Sequence, residues 1–378
     1  MRVIQAADYG PPFPGSFVPM LRAVMRETRS RGWEPLAVLP ERARNHDWVA
    51  GLRDEGFRVE IAPGGGRADL RPFLEGIVAE DDGPTVVHSH FTAFDLAAAA
   101  AVRRRPTATA YWHLHTVLGA GATVQLRNQL KFRLLSRPVE RIICVSADLA
   151  ADVRARGAPR TKVEWLANGV DVEAFRPPSA AERAEARRAS GLPEDATVLL
   201  HFGRDWQIKG GDLFLEAFAA LVRERQGLVA ACVRGGEPAH REAARLGIED
   251  SVEVLDGAPD VWRLHAAADL FMATSRGEGA GQMSLAVLEA LACGRGVVAT
   301  DLAGGAEEAG PELAGLRIVP LDAQGIAAGA RSLLDRDAAS AARAAEEGRD
   351  WVARNLGVQH WAGQLNEMYE RSRLRLAA

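Results

Sequence analysis

Apolar positions along the chain fall into two alternating textures: short runs dense in β-branched residues, and longer stretches of helical character. Val3 to Ala7, Pro35 to Leu39, Val59 to Ala62, Thr85 to His88, Thr109 to His113 and Arg141 to Val145 read as strands in the first half. Val198 to Phe202, Leu228 to Val233, Val252 to Leu255, Leu270 to Ala273, Gly296 to Thr300 and Leu316 to Val319 repeat the pattern in the second. Runs this continuous describe strands covered on both faces. Their separation by helix-length segments describes parallel sheets of the doubly wound, Rossmann-like α/β class. Val170 to Pro178, ending in paired prolines, is the natural boundary, and the charged, alanine-rich Ala180 to Ala189 reads as a helix entering the second domain. Ala338 to Leu376 reads as a helical tail whose apolar positions include Trp351, Trp361, Leu365 and Tyr369. The expected organisation is a first domain over 1–172, a second over 173–355, and a C-terminal helix over 356–378 that crosses back to the first.

Composition narrows the class. At 378 residues the chain is comfortable for two domains, each with its own core. The formal net charge of -4 hides a slightly basic front half, which is ordinary surface scatter or a surface for an anionic acceptor, and nucleic acid is not implied. Cys144, Cys232 and Cys293 are odd in number and set in apolar surroundings, so neither a disulfide framework nor a zinc site is expected, and a reducing cytoplasm fits. Without a signal peptide or a run of about 20 apolar residues the protein reads as soluble, at most peripheral to a membrane. The basic amphipathic stretch Leu126 to Arg137 is first an ordinary surface helix and second a segment that leans on a membrane carrying a lipid acceptor. Arginine in place of lysine, with abundant alanine, points to a GC-rich bacterial genome.

Four constellations could carry chemistry. Gly10-Pro11-Pro12-Phe13-Pro14-Gly15-Ser16 joins the first strand to a helix starting near Val18; its prolines exclude the dinucleotide fingerprint, leaving a phosphate- or sugar-approaching loop or a plain connection. His88, His90, His113 and His115 form two His-x-His pairs at strand ends, each on one face of its strand. No further ligand cluster argues for metal, so His88 and His113 are expected to be hydrogen-bonded structural residues and His115 the functional candidate. Gly203-Arg204-Asp205-Trp206-Gln207-Ile208-Lys209-Gly210-Gly211 follows a strand directly. Only three lysines occur, Lys131, Lys162 and Lys209, and the last stands five residues after Arg204, an arrangement suited to a diphosphate or, blandly, two solvated charges beside a turn. Finally, Thr274 to Gly294 runs from a strand end through a glycine-rich loop into a helix capped by Gly294. Glu278 and Glu289 bracket the turn; Glu289 is either a surface helix residue or, given its apolar flanks, a buried acceptor for hydroxyls.

Taken in order and spacing, these motifs resemble the retaining glycosyltransferases of family 4, over nearly the whole chain. The resemblance also rests on Tyr111-Trp112-His113-Leu114-His115-Thr116, Ile142-Ile143-Cys144-Val145-Ser146 and Asn168-Gly169-Val170-Asp171 with Phe175 and Pro177. It implies the GT-B fold, two Rossmann-like domains facing across a cleft, and transfer of a sugar from a nucleotide-diphosphate donor to an acceptor hydroxyl with no metal or other cofactor. By motif, Arg204 and Lys209 would hold the donor diphosphate, Glu289 the ribose, Glu278 the donor sugar, His115 the reacting face and Gly15 with Ser16 the sugar-phosphate or acceptor region. Gly203 and the stretch Gly281, Gln282, Met283, Ser284 and Leu285 would line the donor. One departure stands out: ten residues separate the two glutamates where the family pattern has seven, which is accommodated by a three-residue insertion or costs Glu278 its role. Asp335-Arg336-Asp337 has metal-binding spacing but reads as a solvated face late in a helical segment. Alternatives are a nucleotide-sugar epimerase of the same fold and a non-catalytic sugar-nucleotide-binding partner subunit.

Overall fold

The near-continuous apolar runs become strands buried along almost their whole length, as in β1 (Arg2–Ala7) and β4 (Thr85–His90), where every residue is buried. The structure, a computed structural model, describes residues 1–64, 67–257, 260–277, 283–304 and 313–376. Two compact units emerge: Met1–Gly169 with Val358–Ala378, and Val170–Gly357.

The first unit adds β2 (Glu34–Pro40), β3 (Arg58–Ala62), β5 (Ala108–Leu114), β6 (Val139–Cys144) and β7 (Val163–Trp165), in the order β3-β2-β1-β4-β5-β6-β7. The second contains β8 (Thr197–Phe202), β9 (Leu228–Val233), β10 (Val252–Leu255), β11 (Leu270–Ala273), β12 (Gly296–Thr300) and β13 (Leu316–Val319), in the order β10-β9-β8-β11-β12-β13. All pairings are parallel. Strand order reverses between β1 and β4 in one unit and between β8 and β11 in the other. In open α/β sheets the crevice outside the carboxyl ends at such a reversal is where ligands sit, which singles out the loops after β1, β4, β8 and β11.

Alternate residues of each strand feed opposite cores. In the second unit Leu200, Val233, Phe271 and Val297 join one apolar cluster, while Leu199, Cys232, Met272 and Val298 join another. The helix Ala180–Ala189 begins with a capping box in which the Ser179 and Glu182 side chains each bond the other's backbone N–H. In the first unit the helix Val358–Leu376 buries Val358, Trp361, Ala362, Leu365 and Tyr369, one helical stripe, into the core beneath β1, β4 and β5.

One feature departs from the expectation: β7, with three residues, is too short to show a period. The helical tail consists of two helices, Ala338–Leu356 and Val358–Leu376, separated by an extended Gly357. There Val170 N–H donates to the Leu356 carbonyl at 2.8 Å, and a Cβ on residue 357 would lie 2.6 Å from the Ala353 oxygen. Asp335 and Asp337 likewise do not lie within a helix: they cap adjoining ones, Asp337 accepting from Ser340 N–H at 2.9 Å while Asp335 pairs with Arg225. No helix is long and apolar enough to cross a membrane among the described residues.

Candidate functional site

In the second unit β8 delivers the chain into Gly203, whose N–H donates to Val233 O at 2.8 Å. Asp205, a non-glycine at φ +56°, then opens a single helical turn, Trp206–Lys209, before the longer helix Gly211–Glu224. Strain of this kind persists only where surroundings enforce it, and the segment that follows β11 supplies the enforcement. Thr274 Oγ1 donates to Gly210 O at 2.8 Å, Arg276 N–H donates to Ile208 O at 2.8 Å, and the Arg276 guanidinium reaches Gln207 O and grips Asp212 with two bonds of 2.7 Å. Gly210 has φ +66°, and a Cβ there would stand 2.0 Å from the Thr274 carbonyl oxygen, so no other residue fits. The Trp206 indole lies flat against Gly211.

On this pinned turn Arg204 is exposed and makes no ion pair or hydrogen bond among the described residues. Lys209 is half-buried and lines a cavity of about 130 Å³ together with Ser275 and Ser284. His201 forms part of its wall. Its Nδ1 lies 3.0 Å from Met272 O, and burial, reinforced by the Lys209 charge, pushes its pKa down to about 4, so the ring is a neutral donor. The helix Leu285–Ala292 starts beside this cavity, with Ser284 N–H donating to Ala303 O at 3.0 Å, and ends at Gly294 with φ +68°. Met283 is 2% exposed and belongs to the apolar cluster that holds Leu200, Phe271 and Val287.

Glu289 is not a surface residue. It is 5% exposed on the inner face of its helix, with Oε2 at 3.7 Å from Nε2 of the fully buried His265. A carboxylate there can accept two hydroxyl donors at once. Glu278, Gly281 and Gln282 lie outside the described residues.

In the first unit the loop after β1 is held from the segment following β2. Arg42 bonds Asp8 at 2.5 Å, His46 Nε2 meets Gly10 O at 3.1 Å and Trp48 Nε1 donates to Pro11 O at 3.1 Å. Gly15, at φ +50°, leads through Ser16 into the helix Phe17–Ser30. Immediately after β4, Phe91 adopts φ +64°, so each unit carries a strained residue at its own sheet reversal.

The four histidines share one sheet face because His90 stands opposite His113 in the ladder. Nε2–H of His90 donates to Gln5 Oε1 at 2.8 Å, leaving Nδ1 to accept from His115 Nε2 at 3.0 Å; Gln5 Nε2 donates to Tyr369 OH at 3.2 Å, and that hydroxyl bonds His88 Nδ1. His115 also bonds Asn168. Burial holds all four below the ordinary imidazole range, His88 and His115 at about 3. His113 corrects the expectation of a hydrogen-bonded structural histidine: neither ring nitrogen has a partner among the described residues, because β5 places it between stacked imidazoles with Trp361 over it. Nitrogens of His88, His90 and His113 all lie within 4.8 Å of one another. To join a metal set His90 would give up the bond at one ring nitrogen while the other could keep its partner; as the side chains stand, His88 and His90 belong to a hydrogen-bonded network.

Sequence reasoning gave no part in the site to Thr274, Arg276, His265, Gln5, Tyr369 or Asn168, although Asn168 and Tyr369 were named in other connections. Thr274 and Arg276 lay inside a quoted motif, but their partners are more than sixty positions away, where no local pattern points.

Comparison with known proteins converges on one family. Residues 20–174 match the family described as Glycosyltransferase Family 4, and residues 196–336 the one described as Glycosyl transferases group 1. D-inositol 3-phosphate glycosyltransferase of Saccharomonospora viridis is 37% identical over 198 residues, 48% of this chain and 44% of that protein. The GDP-mannose-dependent alpha-(1-6)-phosphatidylinositol monomannoside mannosyltransferase of Mycobacterium tuberculosis is 34% identical over 204 residues, 51% of this chain and 52% of that one. The chain spans about half the length of these curated relatives. Among solved structures, Anabaena HepE in complex with UDP superposes with a TM-score of 0.80 at 21% identity, covering 98% of this chain and all of that one. With the parallel sheets, their shared strand order and both family matches in agreement, the chain belongs to the family 4, group 1 glycosyltransferases of GT-B fold.

Proposed function

We propose that the protein transfers a glycosyl group from a nucleoside-diphosphate sugar to an acceptor hydroxyl, with retention at the anomeric carbon and without metal or other cofactor. The observation that carries this reading is the turn Gly203 to Gly210, which holds Arg204 and Lys209 at the sheet reversal of the second unit. The bond from anomeric carbon to diphosphate oxygen breaks, and the diphosphate departs with the electron pair. Two fixed cations neutralise that developing charge without reorganising. The acceptor oxygen bonds the same face, and its proton leaves on the departing phosphate oxygen. Ser284 and the helix start behind it offer further donors to the phosphates, Glu289 accepts from the ribose hydroxyls, and His115, held neutral, serves hydroxyls as a hydrogen-bond partner. Support also comes from the relatives: one is described with UDP bound and another is described as GDP-mannose-dependent. We place the reaction in the cytoplasm, a reading supported by three free buried cysteines.

Charge-assisted hydrogen bonds contribute about 1.5–3 kcal/mol each. Lys209→Ala and Arg204→Ala are therefore expected to weaken nucleotide binding roughly ten- to a hundred-fold, read by titration calorimetry with UDP and GDP, with a parallel loss of turnover and an unchanged unfolding midpoint. Wild-type binding in both variants would sink the site.

A further inference from the structure

The first unit also carries a groove of about 650 Å³, separate from the histidine face. It opens between the helix Asp95–Val102 and the helix Ala122–Leu130, which continues as a π-helical turn over Lys131–Leu135. A second groove of about 490 Å³ adjoins it, sharing Arg71, Leu96 and Leu135. The surface is unusually apolar for one facing water: Leu96, Val117, Leu126, Leu130, Leu134 and Leu135 are 42 to 58% exposed, six of the thirteen large exposed apolar side chains among the described residues. The π-turn produces this by burying Lys131 and Phe132 while turning Leu134 and Leu135 outward.

Its charge is one-sided. Between Asp95 and Glu140 the sequence holds no acidic residue, yet it includes Arg103, Arg104, Arg105, Arg127, Lys131, Arg133 and Arg137. Arg71, Arg103, Arg104, Arg127 and Arg137 edge the two grooves, and of these only Arg71 has an acidic partner, Glu75, among the described residues. Inside, Lys131 is 8% exposed. Its Nζ donates to Asp95 Oδ2 at 2.5 Å, Asp95 is braced by Ser89 Oγ at 2.6 Å, and the ammonium lies 4.9 Å from the Trp112 ring. An ammonium has three donors and Asp95 takes one, so a cation is fixed in the lining of an otherwise leucine-rich groove.

We infer that this double groove docks the protein on a bilayer bearing anionic lipids, the exposed leucines entering the acyl boundary and the arginines meeting lipid phosphates. Apolar side chains with a basic rim and no acidic residue in the lining of either groove match the charge and polarity of that interface. Combined with the transferase reading, on which this step rests, the acceptor class becomes a hydroxyl carried by a membrane lipid.

The test is co-sedimentation of the full chain with vesicles of phosphatidylcholine alone or with added phosphatidylglycerol. Sedimentation with the anionic vesicles alone, weakening as salt rises, is expected. Leu130→Glu/Leu134→Glu and Arg127→Gln/Arg137→Gln change exposed positions, and their folding is checked by unfolding midpoint. The first is expected to lower partitioning at least ten-fold, and the second roughly five-fold per arginine. Equal sedimentation with both vesicle types, or folded variants that bind like wild type, would overturn the inference. So would self-association without lipid that Leu130→Glu/Leu134→Glu abolishes, since the occupant would then be a second copy. Transfer to a soluble acceptor without vesicle binding defeats the lipid inference alone; vesicle binding without nucleotide binding defeats the transferase reading alone.

Discussion

Lys209 and Arg204 share one turn but live differently, one half-buried beside a small cavity and the other exposed, with no ion pair among the described residues. Their place on one turn was legible because a lysine is rare in this chain and the motif follows a strand directly. What holds them was not legible, since Thr274 and Arg276 act through backbone oxygens that a sequence does not display. Glu289 shows the same division: its apolar flanks announced burial, whereas His265 facing it belongs to a different helix. The tightest contact in the turn makes a sharp test. Gly210→Ala combines a left-handed backbone with a Cβ 2.0 Å from a carbonyl oxygen. It should destabilise the protein by at least about 1–3 kcal/mol, read by urea unfolding, and weaken nucleotide binding with it; an unchanged midpoint would mean that the turn is not clamped by Thr274.

At the level of elements, the strand pattern was readable because parallel strands buried on both faces leave unbroken apolar runs, while the three-residue β7 leaves no periodic trace. The paired histidines of β4 and β5 were visible as a spacing, but their meaning came from the ladder that sets His90 against His113 and from Gln5, Tyr369, Asn168 and Trp361 packed on that face. A buried imidazole held at about 3 stays neutral where the unfolded chain, near 6.5, takes up a proton. The unfolded state then binds more protons between these values, so stability falls as pH drops through that window. His88 and His115 should each cost about 2 kcal/mol between pH 7 and pH 5, with His90 and His113 acting in the same direction. Urea midpoints measured across that range check this, and a flat profile would contradict the burial of the network.

For the molecule as a whole, two units with separate sheets and cores imply separate openings. Burial pushes Cys144 in the first unit and Cys232 and Cys293 in the second up to about 12, so none should react with a thiol reagent near neutrality until its surroundings open. A nucleotide at a hundred times its Kd stabilises the unit it binds by about 2.7 kcal/mol. Labelling of Cys232 and Cys293 should therefore slow by roughly a hundred-fold while Cys144 keeps its rate, as resolved by mass spectrometry of the peptides. Equal slowing at all three would show that the chain opens as a single body.

The helix Val358–Leu376 completes the first unit although the whole second unit intervenes in the chain. On a ribosome adding about 5–20 residues per second, the seven strands of the first sheet emerge on the order of ten seconds or more before Trp361, Leu365 and Tyr369 exist to cover them. During that interval the histidine face lacks the cover of Trp361 and Tyr369. The nascent first unit then keeps part of its core open until that helix is made, while the second, whose elements are contiguous, can close as soon as it is complete.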